Sequence, residues 1–133
     1  MALTGNCSHT EYIEHATNTV TQTITNPNGV TENVEVPEIV ATTTNYTNIY
    51  LCIKQIDHRN HWDTDSDGNQ IKIAVMHYRY AGYTDQATRN ADQENFLFSD
   101  VGDLKDYDHT QNLYAQIYNE IKILDEKTNL IDS

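Results

Sequence analysis

Lysine and arginine are scarce in this sequence, and so are cysteine, proline, phenylalanine and tryptophan. Eight Lys and Arg side chains stand against twenty Asp and Glu, which gives a formal net charge of −12. That charge opposes the electrostatic attraction on which binding to nucleic acids and to anionic membranes depends. We therefore expect neither nucleic acid nor membrane among the partners, and we expect cationic protein surfaces or bound cations instead.

Long apolar runs are missing as well. No stretch of about eighteen apolar residues occurs, and the opening segment Met1–Cys7 has no basic region, so the sequence predicts neither a membrane span nor a secretory precursor. The two cysteines, Cys7 and Cys52, are too few and too far apart for a disulfide framework, and two free thiols are expected.

What the sequence does contain is a hairpin pattern near its start. In residues 19–36, Val20 and Ile24 alternate with threonines, and the segment Asn26-Pro27-Asn28-Gly29 supplies the turn. Pro37 cannot donate to a strand ladder and is expected to end the second strand. The preceding residues 1–18 are expected to form an extended N-terminal arm.

Alternating Ile and Val residues predict two core strands in the middle of the chain, over 48–58 and 70–80. The stretch 42–48, rich in Thr and Asn, is expected to be a loop. A polar loop over 59–69 is short enough to join the two strands as an antiparallel pair.

The last third of the sequence predicts helix more than strand. Residues 84–92 are expected to contain a capped helical turn, and 95–98 are expected to form a short strand. Over 108–127, Leu113, Ile117 and Ile121 recur at helical spacing behind Asp108, a residue suited to cap a helix. The predicted fold is therefore a single α+β domain over 1–133, an antiparallel sheet of two hairpins with one C-terminal helix packed on one face.

The sharpest local motif is the acidic loop Asp63-Thr64-Asp65-Ser66-Asp67-Gly68-Asn69. Asp63, Asp65, Asp67 and Asn69 occupy alternate positions, as ligands do in a calcium loop, but Ala74 stands where a bidentate Glu is required. Two interpretations stay open: a calcium site made by these four residues, or a solvated hairpin turn without any cofactor. The histidines His58, His61 and His77 do not by themselves demonstrate a converging zinc site.

Catalytic patterns are absent. No Ser lies on a strand-to-helix elbow, and no glycine-rich loop precedes a helix. We expect a protein that is not an enzyme, with a small hydrolase using acidic residues as the rival hypothesis.

Tyrosine is the common aromatic residue, with nine in the chain. Tyr78, Tyr80 and Tyr83 form a candidate interaction surface because Tyr is enriched at interfaces. Alternation puts Tyr78 and Tyr80 on one sheet face, and that face is available to a partner only if the helix does not cover it.

Four segments resemble small structural proteins of tailed bacteriophage virions: the strand ending in Tyr78-Arg79-Tyr80, and residues 84–89, 95–98 and 112–122. The opening residues 3–12 are also similar to the start of such proteins. The resemblance implies a non-enzymatic component located in the virion, present in many copies or as a homo-oligomer and bound to other virion proteins. A tail-associated role is favoured, and capsid decoration is the alternative.

Overall fold

Three long strands dominate the chain. The computed structural model describes all residues from Met1 to Ser133. In chain order, the elements are β1 (Leu3–Thr25), β2 (Thr31–Thr64), β3 (Gln70–Tyr83), α1 (Gln86–Ala91), β4 (Phe98–Leu104), α2 (Leu113–Lys122), a 3₁₀ turn (Asp125–Lys127) and β5 (Leu130–Asp132). Neither α-helix is long and apolar enough to cross a membrane.

The strands form one sheet in the order β4-β3-β2-β1-β5. The β2–β3, β3–β4 and β1–β5 pairs are antiparallel, so the predicted antiparallel sheet is confirmed. The description as two hairpins and a single helix is not confirmed. Strands β4 and β5 extend the sheet at its two edges, and α1 is a second helix, capped by the Asp85 side chain, which accepts a hydrogen bond from the Thr88 N–H at 2.7 Å.

Several predicted boundaries were wrong because long strands run through polar sequence. β2 continues past Pro37 and through 42–48, and the expected loop over 59–69 shrinks to a tight turn after Thr64. A proline is tolerated in a strand when its missing N–H faces an unpaired edge. The short strand expected over 95–98 instead begins at Phe98.

Of the helix expected over 108–127, only Leu113–Lys122 is α-helical and forms α2, and the 3₁₀ turn follows it. Its cap is Asn112, whose side chain accepts a hydrogen bond from the Ala115 N–H at 3.2 Å, and not Asp108. Asp108 closes a local turn instead, accepting hydrogen bonds from the backbone N–H and the hydroxyl of Thr110. Asn and Asp are both favourable capping residues. Asn112 directly precedes the helix that carries the buried residues, and it therefore becomes the cap.

The chain divides into two compact units. The packed unit comprises Met1–Ser8 and Asn45–Ser133, and the ribbon comprises His9–Thr44. Strands β1 and β2 each contribute residues to both units.

The packed unit has its main core between the sheet and α2. The buried face of α2 consists of Ile117, Tyr118 and Ile121. It belongs to one apolar cluster with buried strand residues that include Leu3, Leu51, Ile53, Tyr78, Tyr80, Phe98 and Leu130. Burial of large aliphatic and aromatic side chains of this kind is the main source of folding free energy.

Alternate strand residues form a second cluster on the other sheet face. Cys52, Ala81 and Tyr83 are buried there with Ala2, and Phe96 packs against them. The Tyr83 hydroxyl donates a hydrogen bond to the Gln93 carbonyl at 2.7 Å, which fixes the segment after α1 to the sheet. In the packed unit, both faces of the sheet therefore carry a buried cluster.

Candidate functional site

The ribbon has almost no buried residues of its own. Every residue from Glu11 to Thr25 is exposed, and on the returning strand only Val34, Val36 and Glu38 are half-buried. His9 is the one buried residue of this unit. A two-stranded hairpin with no further strand or helix packed on it is marginally stable in water at best. The ribbon therefore has no hydrophobic core of its own.

One face of the ribbon is polar and hydrogen-bonded across the strands. The Thr19 and Thr21 hydroxyls donate to the Glu35 carboxylate at 2.8 and 2.6 Å, and the Thr23 hydroxyl donates to the Asn33 side-chain oxygen at 3.0 Å. These hydroxyl donors hold the pKa of Glu35 below its usual range, because they stabilise its ionised form. The threonine side chains therefore hold the strand register on this face.

The other face carries the aliphatic side chains of 19–25 and 31–36, interspersed with the polar residues Gln22 and Glu32, and is called the apolar face below. Because strand side chains alternate, Val20 and Ile24 point away from the threonine face, as do Val34 and Val36 across the pair. Val20 is 46% exposed and Ile24 is 40% exposed. No helix or second sheet layer of the ribbon unit covers these side chains.

The charge of the ribbon has one sign. It contains no Lys or Arg, and apart from His9, His15 and Tyr12 its ionisable residues are five glutamates: Glu11, Glu14, Glu32, Glu35 and Glu38. The first Lys or Arg of the chain is Lys54. A partner that covers the ribbon therefore gains from a cationic surface, and a second copy of the same ribbon is opposed by like charge.

The end of the β2–β3 hairpin presents one large aromatic side chain. Trp62, the single Trp of the chain, is 68% exposed. Trp is enriched among residues that dominate protein interfaces, so this hairpin offers a second contact point in the packed unit.

The acidic loop closes the β2–β3 hairpin as a turn. The Asp65 carboxylate accepts hydrogen bonds from the backbone N–H groups of Asp67 and Asn69, at 3.0 and 2.9 Å. Gly68 has a φ of +82°, which suits glycine. Asp63 bonds the adjacent Thr64 N–H. Asp65 therefore serves the turn, and the structure gathers no group of three His, Cys, Asp or Glu side chains that could hold a metal ion.

His58, His61 and His77, which were considered as zinc ligands, do not belong to a group of three potential metal ligands either. His77 pairs with the Asp103 carboxylate at 2.7 Å between β3 and β4. Cys7 and Cys52 are free thiols, as expected. Both are also buried, and burial raises the pKa of both thiols. No nucleophile with an adjacent base emerges from these side chains.

The three tyrosines of the candidate interface lie in the interior. Tyr78 and Tyr80 are in the cluster under α2, each 2% exposed, and Tyr83 is buried in the opposite cluster. The sheet face that carries Tyr78 and Tyr80 would be open to a partner only if the helix did not cover it, and α2 packs against this face. Burial raises the pKa of Tyr78 to about 12 and that of Tyr80 further, as expected for core phenols.

The exposed ribbon surface was missed by sequence reasoning. Its first strand runs through 9–18, which were expected to be an arm, and its second strand runs past Pro37 and into the stretch 42–48, which was expected to be a loop. The available signal was the threonine content together with the absence of any Lys or Arg before Lys54. A stretch of this kind favours strand but does not show what covers it.

Comparison with known proteins adds no relative: no protein-family model, curated protein or solved structure matches this chain.

Proposed function

We propose that this chain is a non-enzymatic assembly component of a phage virion, associated with the tail, that binds other virion proteins through the ribbon. The observation that carries the proposal is the ribbon itself, a run of 36 residues from His9 to Thr44 in which only His9 is buried. Burial of its apolar face against a partner supplies the layer that a lone hairpin lacks.

The outer edges of the ribbon support the same role. β1 pairs with β5 only through Leu3 to Gly5, and β2 pairs with β3 only from Tyr50 onward. The ribbon strands therefore carry backbone N–H and C=O groups on edges that no strand of this chain occupies. Such edges accept an added strand from a partner.

The first test is composition. Mass spectrometry of purified virions should detect this chain at a fixed copy number in mature particles, and its absence from them would refute the proposal. Copy number also separates the two virion roles, because tail and capsid proteins follow different symmetries. A count that matches the capsid lattice would favour decoration over tail association.

The second test asks whether the apolar face of the ribbon makes the contact. Ile24→Glu introduces a charge on that face, and Thr25→Glu introduces the same charge on the threonine face one residue away. Burying an Ile side chain is worth about 1.5–3 kcal/mol, so Ile24→Glu should lower incorporation into particles by about tenfold or more. Equal incorporation of the two variants would exclude this face as the contact.

A calcium-dependent binding module using Asp63, Asp65, Asp67 and Asn69 is the alternative function. Its test is a melting curve with calcium and with chelator. A melting temperature that falls in chelator, and that no longer responds in Asp65→Ala, would favour it. An identical curve in both conditions would remove it.

A further inference from the structure

A cleft in the packed unit collects cationic side chains within a strongly acidic protein. It has a volume of about 550 Å³, and its lining includes Tyr50, Cys52, Lys54, Arg89, Tyr114 and Tyr118. The protein has eight Lys and Arg in total, and two of them line this one cleft. Concentration of scarce positive charge at a concave site is typical of anion binding.

An irregularity in β2 places Lys54 at the cleft. Ile53 pairs with Tyr80 and Gln55 pairs with Arg79, so Lys54 is an extra residue in the ladder, a β-bulge. Bulges redirect a side chain and are common beside functional sites. The side chain of Lys54 is 14% exposed, and its ammonium lies 3.0 Å from the Glu94 carboxylate and 4.7 Å from the centre of the Phe96 ring.

The bulge is held in place by α2. The Tyr118 hydroxyl accepts a hydrogen bond from the Ile53 N–H at 3.0 Å and donates one to the Met1 carbonyl at 2.9 Å. The backbone group next to the extra residue is therefore satisfied by a buried side chain. Lys54 is thus presented by a rigid support rather than by a loop.

Arg89 supplies the second charge. It is the basic residue of the last turn of α1, it is half-buried, and its guanidinium donates to the Asn90 side-chain oxygen at 3.3 Å. No carboxylate forms an ion pair with it, although the chain contains twenty Asp and Glu. The guanidinium also forms a hydrogen bond with the Cys52 side chain. Because it has five N–H donors and no carboxylate partner, its remaining donors stay available for an oxyanion.

We propose that this cleft is an oxyanion site, in which Arg89 and Lys54 bind a carboxylate or phosphate group of a ligand whose remaining part lies against the tyrosine side chains. Arg89 supplies the N–H donors that its contacts with Asn90 and Cys52 leave free. Lys54 has three N–H donors and uses one on Glu94, so it supplies a second charge-assisted contact beside Arg89. The site goes beyond the assembly role proposed for the ribbon and does not depend on it.

The test is a titration of the full chain with two probes, inorganic phosphate and N-acetylglutamate, followed by NMR of backbone and Arg side-chain N–H groups. Saturable shifts at Arg89, Lys54 and Tyr114 are expected with at least one probe. Tighter binding of phosphate identifies a phosphate ligand, and tighter binding of N-acetylglutamate identifies a carboxylate ligand. If neither probe saturates below about 10 mM, the proposal is overturned.

Variants locate the binding. Arg89→Gln and Lys54→Gln should each raise the Kd by about tenfold or more, because each loses a charge-assisted hydrogen bond. Lys105→Gln removes the same charge outside the cleft and should change the Kd less than about twofold, by screening alone. Arg89→Lys keeps the charge without the fork and should fall between them. Equal effects of Arg89→Gln and Lys105→Gln in folded proteins would overturn the site.

Discussion

The packed unit and the ribbon are made of the same kind of strand but differ in what covers them. In the packed unit, Leu51 and Tyr80 belong to the same buried cluster as Ile117 of α2 and are nearly inaccessible to solvent. In the ribbon, Val20 and Ile24 follow the same alternating pattern and remain exposed. Alternation therefore predicts which side chains share a face, whereas stability depends on the layer that covers that face.

The turns show that the difference does not arise locally. In each hairpin, a backbone N–H bonds the carbonyl four residues on, from Asn26 to Val30 and from Asp65 to Asn69, at 2.8 and 2.9 Å. Each turn has a glycine of positive φ at its fourth position, Gly29 in the ribbon and Gly68 in the packed unit. Both are three-residue hairpin connections of the same type.

Alkaline pH should cause the largest difference between the two units, because it lowers the free energy of unfolding of the packed unit. Burial raises the pKa of Tyr78 and Tyr118 to about 12, against about 10 in the unfolded chain. The folded state therefore keeps protons that the unfolded state loses, and the stabilisation is complete below pH 10. Between about pH 10 and 12 the free energy of unfolding should fall by about 3 kcal/mol per pH unit for the two residues together.

Thermal melting followed by circular dichroism between pH 8 and pH 12, with tyrosinate absorbance as a second signal, measures this loss. Tyr78→Phe should reduce the slope. A melting temperature that stays constant up to pH 12 would show that these phenols are not buried in solution.

Truncation of one Ile in each unit gives the next largest effect. Ile117→Ala leaves a cavity between α2 and the sheet and should lower the free energy of unfolding by about 2–5 kcal/mol. Ile24→Ala, on the exposed face of the ribbon, should change it by less than about 0.5 kcal/mol. Urea unfolding measures both, and comparable losses would mean that the ribbon is as well packed as the core.

Removal of one hydroxyl should have an intermediate effect. Tyr118→Phe leaves the Ile53 N–H without its acceptor at the bulge, and an unsatisfied buried donor costs about 1–3 kcal/mol. Tyr114, on the exposed side of α2, provides the control, because Tyr114→Phe should be almost neutral. Equal stability of the two variants would imply that water replaces the lost acceptor.

Alanine at the two turn glycines should have the smallest effect. Gly29→Ala and Gly68→Ala meet no atom within 4 Å, so the cost is that of a left-handed conformation, about 1–2 kcal/mol. In the packed unit, Gly68→Ala should lower the melting temperature, because this cost reduces the free energy of global unfolding. In the ribbon it should appear as faster local amide exchange without a change in the melting temperature. An equal drop in melting temperature for both would show that the ribbon unfolds together with the packed unit.

Sequence reasoning located the elements that local chemistry determines and missed those that depend on context. The turn at Asn26–Gly29, the core strands and the stripe of Ile117 and Ile121 follow from residue type and spacing. The passage of β2 through Pro37 does not, because it depends on which strand edge is left unpaired. The three residues of β5 are too few to show a period at all.

The candidate sites were less predictable than the fold. The alternation of Asp63, Asp65 and Asp67 is compatible with a metal loop and with a turn, and only the hydrogen bonds of Asp65 show its part in the turn. Alternation assigned Tyr78 and Tyr80 to the same sheet face, but the sequence did not show that α2 covers this face. Lys54 and Arg89 are 35 positions apart in sequence, and their shared cleft depends on a bulge and on a short helix.

The most direct test of the account is amide hydrogen exchange of the ribbon, first in the isolated chain and then in purified virions. In the isolated chain, amides over 11–25 and 31–43 should exchange at least about a hundredfold faster than those over 49–53 and 78–83. In virions the ribbon amides should become as protected as the core strands. Ribbon amides that are already as protected as the core in the isolated monomer, or that stay unprotected in the particle, would contradict the account.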